Sequence, residues 1–289
     1  MGIGHHSGFQ ASGAPTPAGP PVLHAASLGA GGVPLLLLHG IGGAGSSWMP
    51  VAARLASQRR VLVPDLLGFG QSPWPDTAYT LEEHVAAVDR LLQDRGLGDG
   101  PLDVAGHSLG AIVAAELASR TPRMRHLTLV SLPYFTTEEE ARRTIGNAGL
   151  LARLTVMGHW AAGAVCDVMC ALRPQLRFLA PHFAPHVPAE VARDSLMHNY
   201  RSYSRTLENV VVRHRLDLAL GRLTDRHVTF VHGNADRTAP LGDVQALAKQ
   251  YSRWRVEVVA AADHHLPILR PELLARLLSE PIAQVSPAG

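Results

Sequence analysis

Residues that could form a serine-based catalytic triad, a hydrogen-bonded relay of nucleophile, base and acid, occur in this 289-residue chain in the order serine, aspartate, histidine. Residues 106–110 read Gly-His-Ser-Leu-Gly and match the pattern G-x-S-x-G, with Ser108 at its centre. Asp236 follows a later apolar run, and the adjacent His264 and His265 follow the next one. A serine hydroxyl is a weak nucleophile and needs a base that an acid holds in place. The order predicts Ser108 as nucleophile, one of the two histidines as base and Asp236 as the acid.

The segments on either side of Ser108 supply the setting that the motif requires. The apolar run 102–105 predicts a strand that ends at the motif, and residues 109–120 predict a helix that begins there. At such a turn the serine backbone is strained and its hydroxyl exposed, while the flanking glycines avoid clashes. The helix N-terminus favours negative charge, and the backbone N–H of Leu109 is a predicted oxyanion donor. Ser108 is therefore predicted to be a nucleophile.

Asp236 is the one carboxylate whose predicted position suits the third member of this relay. It lies just past the strand predicted at residues 227–231, where catalytic groups gather in open α/β sheets. The alternative interpretation is an aspartate that forms a turn. Asp65 comes before Ser108 and so departs from the expected order. We interpret Asp65 and His39 as buried polar residues that tie loops together.

Short apolar runs alternate with longer amphipathic segments along most of the chain. This alternation predicts an α/β fold with a mostly parallel, doubly wound sheet whose strands are covered on both faces. The predicted strands are residues 22–27, 35–38, 61–64, 102–105, 127–131, 227–231 and 256–259. The predicted helices are residues 47–58, 80–95, 109–120, 240–251 and 271–278. Thr80 and Glu83 predict a capping box at the start of the second helix.

The alternation is interrupted between residues 133 and 220, where helical patterns occur without a convincing strand. We predict a helical cap inserted into the sheet domain, so that residues 22–132 and 221–289 form the core and 133–220 the cap. Residues 1–21, rich in Gly, Ala and Pro, are predicted to be a flexible leader without the features of a secretory signal. The large apolar side chains of the cap predict either an apolar cavity or the cap's own core. They are Met157, Trp160, Met169, Phe178 and Phe183.

Composition argues against several classes of protein. A hydrophobic content of 46% argues against disorder, and 26 basic against 24 acidic residues without a basic cluster argue against nucleic acid as the main partner. No run of 18 apolar residues occurs, so neither a membrane span nor a membrane partner is predicted. The two cysteines, Cys166 and Cys170, are too few for a disulfide scaffold or a zinc site, and they favour a reducing, cytoplasmic location.

Four segments together resemble the motifs of the α/β-hydrolase-fold family, in its serine-nucleophile form with a helical cap, over residues 22–279. His39-Gly40 resembles the oxyanion loop, residues 65–72 the D-x-x-G-x-G-x-S turn, residues 106–110 the nucleophile elbow and residues 233–240 the acid loop. The resemblance implies that the backbone N–H of Ile41 is the second oxyanion donor. Ile41 and Leu109 are therefore the expected substrate-binding positions.

The resemblance also bears on the choice between the two histidines. Family members commonly carry prolines three and seven residues after the base, and counting from His264 reaches Pro267 and Pro271. Counting from His265 reaches no proline, so the resemblance implies His264 as the base and His265 as a pocket or structural residue. Asp263 stands where the family usually has glycine.

The expected function is that of a serine hydrolase that cleaves a small carboxylic ester through an acyl-enzyme. No metal, nucleotide or redox cofactor is implied. The expected partner is a small-molecule acyl substrate, and the oligomeric state, a homodimer included, stays open. A thioesterase and a C–C bond hydrolase are alternatives that keep the same relay. A non-hydrolytic cyclase or lyase of a natural-product pathway and a ligand-binding receptor also stay open, whereas a serine nucleophile disfavours a haloalkane dehalogenase or an epoxide hydrolase.

Overall fold

A seven-stranded sheet forms the centre of the part of the chain that the structure describes. This computed structural model describes residues 19–147, 153–155, 157–158 and 160–279. The strands are β1 (Ala25–Leu28), β2 (Leu35–Leu38), β3 (Val61–Pro64), β4 (Leu102–His107), β5 (Met124–Val130), β6 (Val228–Gly233) and β7 (Trp254–Val259). They lie in the order β1-β3-β2-β4-β5-β6-β7, with β1 antiparallel to β3 and the other pairs parallel. The predicted α/β class with a mostly parallel sheet is confirmed.

Helices cover both faces of the sheet. They are α1 (Met49–Leu55), α2 (Leu81–Asp94), α3 (Leu109–Arg120), α4 (Glu138–Gly146), α5 (Trp160–Ala171), α6 (Arg173–Phe183), α7 (Ala189–Asp194), α8 (Tyr200–Thr206), α9 (Asp217–Gly221), α10 (Leu241–Ala248), α11 (Leu266–Leu269) and α12 (Pro271–Ser279). Along β2, Leu36 and Leu38 pack in the buried cluster that includes α2 and α3. Leu35 and Leu37 point the other way, into the cluster that includes α1 and α12. Alternate residues of one strand therefore bury both faces, as a parallel sheet requires.

The predicted bounds hold where the local signal is strong. Strands β2 and β3 and helix α3 have the predicted bounds, and α2 begins at the predicted capping box. The helix predicted at residues 47–58 instead splits into a 3₁₀ turn, Gly45–Trp48, and α1. Pro50 explains the break, because it lacks the N–H that a continuous helix would use at that position.

Two predicted segments extend beyond the described residues. The predicted leader, residues 1–21, is described only from residue 19 onward, and the predicted core segment 221–289 is described as far as residue 279. Within the described ranges, no helix combines the length and the apolar character needed to cross a membrane.

Helices α4 to α9 and a π-helical turn, Leu207–Val212, lie between β5 and β6, and the described part of residues 133–220 contains no strand. This insertion contacts the loop that follows β3. The N–H of Gly70 donates a hydrogen bond of 2.8 Å to the carbonyl of Met197. The guanidinium of Arg173 lies 4.6 Å from the centre of the Trp74 ring. The insertion is therefore attached to a loop at the carboxyl end of the sheet.

Four of the five large apolar side chains predicted for the insertion do not occupy either of the predicted environments. Met157, Trp160, Phe178 and Phe183 are 67–80% exposed, so for these four both the cavity and the cap-core interpretations are wrong. The buried side chains of α5 are Ala162 and Cys166, and α6 has no buried residue. Helix α5 therefore packs through small residues, and the largest apolar side chains of both helices lie outside. Met169 is partly buried.

Candidate active site

Ser108 lies at a strained turn between β4 and α3. Its φ of 53° and ψ of −116° fall in a region that residues with side chains rarely adopt. The backbone N–H of Ser108 donates to the carbonyl of Val130 over 2.9 Å, which keeps the turn attached to the neighbouring strand. The chain enters α3 at Leu109 directly after the turn. Ser108 therefore stands at the carboxyl edge of the sheet, in front of a helix N-terminus, as the motif predicts.

The two glycines of the motif are required by close backbone approaches. A Cβ atom at Gly106 would overlap the carbonyl oxygen of Gly110, and a Cβ atom at Gly110 would overlap the carbonyl oxygen of Leu38. In both cases the obstacle is backbone, which cannot rotate away as a side chain can. The absence of side chains at these two positions lets α3 pack against the end of β2.

We expect Gly110→Ala to lower the free energy of unfolding by about 3 kcal/mol or more, since overpacking against backbone cannot relax. Gly242→Ala is the matched control, because a Cβ atom there meets nothing within 4 Å. It lies in α10, where alanine is favoured over glycine by about 0.5–1 kcal/mol. Urea denaturation of the two variants measures the difference. Equal stabilities would contradict the close approach at Gly110.

Three side chains that are far apart in sequence form a continuous hydrogen-bonded relay. The Ser108 hydroxyl lies 2.9 Å from Nε2 of His264, and Nδ1 of His264 lies 2.8 Å from Oδ2 of Asp236. A carboxylate can only accept, so Nδ1 carries the proton and Nε2 offers its lone pair to the hydroxyl. The structure thus brings together the serine, the aspartate and one of the two histidines that the sequence singled out.

Asp236 is held as a buried, fully hydrogen-bonded carboxylate. Its side chain is 0% exposed, and Oδ1 accepts hydrogen bonds from the N–H groups of Thr238 at 2.8 Å and Ala239 at 3.0 Å. Burial alone would raise the pKa of this carboxyl. The hydrogen bond and charge of His264 and the two backbone donors outweigh burial and lower the pKa of Asp236 to about 2. The carboxylate is therefore ionised throughout the neutral pH range.

His265 lies beside the relay without joining it. Its side chain is 61% exposed, and its ring meets the ring of His264 edge-on at 5.7 Å. The backbone N–H of His265 donates to Oδ1 of Asp263 over 2.9 Å, and Nδ1 lies 3.7 Å from the same oxygen. Asp263, the departure from the family pattern, thus serves as a turn-forming acceptor in the loop that presents His264.

The loop after β2 borders Ser108. A Cβ atom at Gly40 would lie 3.3 Å from Cβ of Ser108, so this loop packs directly against the nucleophile elbow. Nε2 of His39 accepts from the N–H of Leu66 at 2.8 Å, and Nδ1 of His39 donates to the carbonyl of Gly40 at 2.8 Å. Burial lowers the pKa of His39, which keeps the ring neutral for these two bonds. The interpretation of His39 as a residue that ties loops together is confirmed.

Asp65 has the same kind of role. Its Oδ1 accepts from the N–H of Gly45 at 2.7 Å, and its Oδ2 accepts from the N–H of Gln71 at 2.8 Å.

Ile41 follows Gly40 and is partly buried against the core, and Leu109 is fully buried at the start of α3. Both predicted oxyanion positions therefore belong to segments that border Ser108.

One histidine of the site was missed by the sequence reasoning. His107 is the last residue of β4, and its Nε2 lies 2.8 Å from the backbone carbonyl oxygen of His264. The motif leaves this position free, so the pattern itself carries no information about its side chain. The available signal was a histidine directly before the nucleophile.

Among the described residues, no group of three or more His, Cys, Asp and Glu side chains is arranged to hold a metal ion.

Comparison with known proteins extends these observations. A family model described as the alpha/beta hydrolase fold matches residues 33–149, which include β2 and the Ser108 elbow. The chain is 30% identical over 270 residues to a 2-hydroxymuconate semialdehyde hydrolase from Pseudomonas putida, over 88% of each chain. It is 26% identical over 273 residues to the probable lysophospholipase BODYGUARD 3 from Arabidopsis thaliana, over 85% of this chain and 55% of that protein.

The chain spans about half the length of the BODYGUARD relatives, 55% of one and 48% of another. Among solved structures, a thermophilic esterase from Thermogutta terrifontis matches with a TM-score of 0.64 and 24% identity, over 89% of this chain and 91% of that one. This likeness shows the fold. The family-model match and the relative that is matched along most of both sequences show that the chain belongs to the α/β-hydrolase family.

Proposed function

We propose that this chain is a serine hydrolase that cleaves a small carboxylic ester through an acyl-enzyme. The observation that supports this most directly is the relay of 2.9 Å from Ser108 to His264 and 2.8 Å from His264 to Asp236. Such a relay can take a proton from a hydroxyl while the oxygen attacks a carbonyl. Membership of a family in which the matched relatives include a 2-hydroxymuconate semialdehyde hydrolase and a probable lysophospholipase supports the same function.

In the first half of the reaction, His264 takes the Ser108 proton on Nε2 as Oγ attacks the ester carbonyl carbon. Asp236 stabilises the imidazolium that forms. The carbonyl oxygen becomes an oxyanion, and we assign its stabilisation to the backbone N–H groups of Leu109 and Ile41. When the tetrahedral intermediate collapses, His264 gives the proton to the departing alkoxide, which leaves as an alcohol, and the acyl group stays on Ser108.

In the second half, a water molecule replaces the alcohol. His264 removes a proton from this water, and the oxygen attacks the acyl carbon of the ester on Ser108. The second tetrahedral intermediate collapses with return of the proton to the serine oxygen. The product is a carboxylic acid, and the free enzyme is restored with no net change in its protonation.

We extend the proposal to the helical insertion at residues 133–220, which we interpret as a cap over the substrate site. A Cβ atom at Gly42, next to the proposed oxyanion donor Ile41, would lie 3.3 Å from the ring of Tyr203 on α8. The insertion therefore borders the loop that would contact the substrate carbonyl. We expect the cap to limit the size of the acyl group that reaches Ser108.

Hydrolysis of a carbon–carbon bond is the second candidate. The supporting observation is the match to a 2-hydroxymuconate semialdehyde hydrolase, which covers 88% of this chain and of the relative. Hydrolysis of a carbon–carbon bond also requires attack on a carbonyl carbon. The atom that leaves is then a carbon rather than an oxygen, and it must be protonated. The same relay can serve both reactions, so substrate tests decide between them.

The proposed function is tested by a fluorophosphonate probe and two sets of substrates. We expect the probe to label Ser108, and p-nitrophenyl esters of increasing acyl length to be hydrolysed with a preference for short chains. Turnover of 2-hydroxymuconate semialdehyde at a higher kcat/KM than any ester would favour the second candidate. A folded protein that neither reacts with the probe nor turns over either substrate class would contradict both.

We expect Asp236→Asn to lower kcat for the p-nitrophenyl ester by about 10⁴-fold, because an amide favours the wrong tautomer of the histidine. Asp263→Asn is the matched control in the next loop, since an amide oxygen can still accept from the N–H of His265. We expect this control to keep kcat within a few-fold of the wild type. Similar losses in the two variants would contradict the assignment of Asp236.

A further inference from the structure

His107 occupies the space between two loops of the candidate site. On one side, its Nε2 lies 2.8 Å from the backbone carbonyl oxygen of His264. On the other side, a Cβ atom at Gly40 would lie 2.9 Å from Nδ1 of His107. One buried imidazole therefore separates the loop that presents the proposed base from the loop that carries the proposed oxyanion donor.

The partner at Nε2 determines the tautomer of His107. A carbonyl oxygen can only accept, so Nε2 of His107 carries a proton and donates a hydrogen bond to the carbonyl oxygen of His264. Nδ1 then has a lone pair and faces the backbone of Gly40. The ring centre of His107 lies 4.9 Å from the ring centre of His264, with an angle of 53° between the planes. The imidazole of His107 therefore packs against the imidazole of His264.

The surroundings of His107 keep it uncharged. The titratable groups that act on it are His264 and His265 from the loop after β7 and Asp236 from the loop after β6. Burial, followed by the charge of His264, lowers the pKa of His107 well below its usual value, although the carbonyl of His264 and the charge of Asp236 oppose this. A neutral ring does not repel the imidazolium that His264 becomes during the proposed reaction.

We propose that His107 is a positioning residue that holds the backbone of His264 so that its imidazole stays within hydrogen-bond distance of Ser108. This inference rests on the proposed function. Asp236 orients the imidazole through its side chain, whereas His107 fixes the peptide to which that side chain is attached. Displacement of a catalytic group by about 1 Å can cost about 10²-fold in rate. A second anchor on the histidine loop is therefore expected to affect kcat.

A matched pair of variants isolates the hydrogen bond. In His107→Gln the terminal amide nitrogen can reach the position of Nε2 and donate to the carbonyl of His264. His107→Met has nearly the same length and volume but no donor. We expect the Met variant to lose about 10–100-fold in kcat for a p-nitrophenyl ester with KM changed less than about 3-fold. The Gln variant should recover most of that loss.

The division of the loss between kcat and KM gives a readout that a filler of space would not change. In the Met variant the loop that carries His264 is free to move, so transfer of the Ser108 proton is impaired while the groups proposed to bind the ester stay in place. The loss should therefore fall on kcat rather than on KM, and the Gln variant should keep both constants near those of the wild type.

The outcomes separate this proposal from the proposed function. If the wild type reacts with the fluorophosphonate probe and the Met variant keeps its kcat, the positioning role is overturned while the hydrolase survives. Equal losses in the Gln and Met variants would also overturn it, since the ring would then matter and the donor would not. Failure of the wild type to react with probe and substrates would instead remove the proposed function. Thermal unfolding of both variants checks that they are folded.

Discussion

Ser108→Ala is expected to abolish labelling by a fluorophosphonate probe and to lower kcat for a p-nitrophenyl ester by about 10⁶-fold. The hydroxyl oxygen of Ser108 is the only atom of the proposed relay that forms a covalent bond with the substrate. His264 and Asp236 have no function in acyl transfer once that oxygen is absent. The residual rate should still exceed the rate in water by about 10³–10⁴-fold, because the oxyanion donors and the binding site remain.

Ser131→Ala is the matched control for this loss. Ser131 follows β5, is fully buried and has a φ of 48°, so it shares the positive φ and the burial of Ser108. Its hydroxyl has no hydrogen-bond partner among the described residues. Removal of a buried hydroxyl without a partner should leave stability equal or higher. We expect normal labelling and normal kcat in the Ser131→Ala variant. A Ser108→Ala protein that keeps full turnover of esters would contradict the proposal of a serine hydrolase.

The parts of the fold that the sequence predicted are those specified by short stretches of chain. The run at Leu35–Leu38 is buried on both faces, so all four positions are leucine and the strand bounds are plain. The elbow was predicted from five consecutive residues and their strand-helix setting, and within it Gly106 meets the backbone of Gly110 four residues later. Such local constraints leave their mark in the sequence itself.

The parts that the sequence did not predict depend on contacts between distant segments. Helix α5 is apolar nearly all round, so its composition does not tell which face is covered, and Trp160 proved to be exposed while Ala162 is buried. His107 was missed because its partner, the carbonyl of His264, is 157 residues away along the chain. Neither the covered face of α5 nor the contact between His107 and His264 leaves a periodic pattern in the sequence.

His264→Ala and His265→Ala, measured side by side, are expected to differ by several orders of magnitude. His264 lies 2.9 Å from the Ser108 hydroxyl and 2.8 Å from Asp236, so its loss removes the proposed base and should lower kcat by about 10⁶-fold. His265 is largely exposed and contacts Asp263 instead. Its replacement should change kcat by no more than a few-fold. The hydrolysis of p-nitrophenyl esters at saturating substrate measures both.

Because the two histidines are adjacent, one could in principle replace the other if the loop after β7 rearranged. The hydrogen bond from His107 to the backbone of His264 and the turn formed by Asp263 oppose such a rearrangement. We therefore expect His265 not to rescue the His264→Ala variant, so that adding His265→Ala to it produces no further loss. A deeper loss in the double variant, or a loss in His265→Ala alone as large as in His264→Ala, would assign the proton transfer to the second histidine.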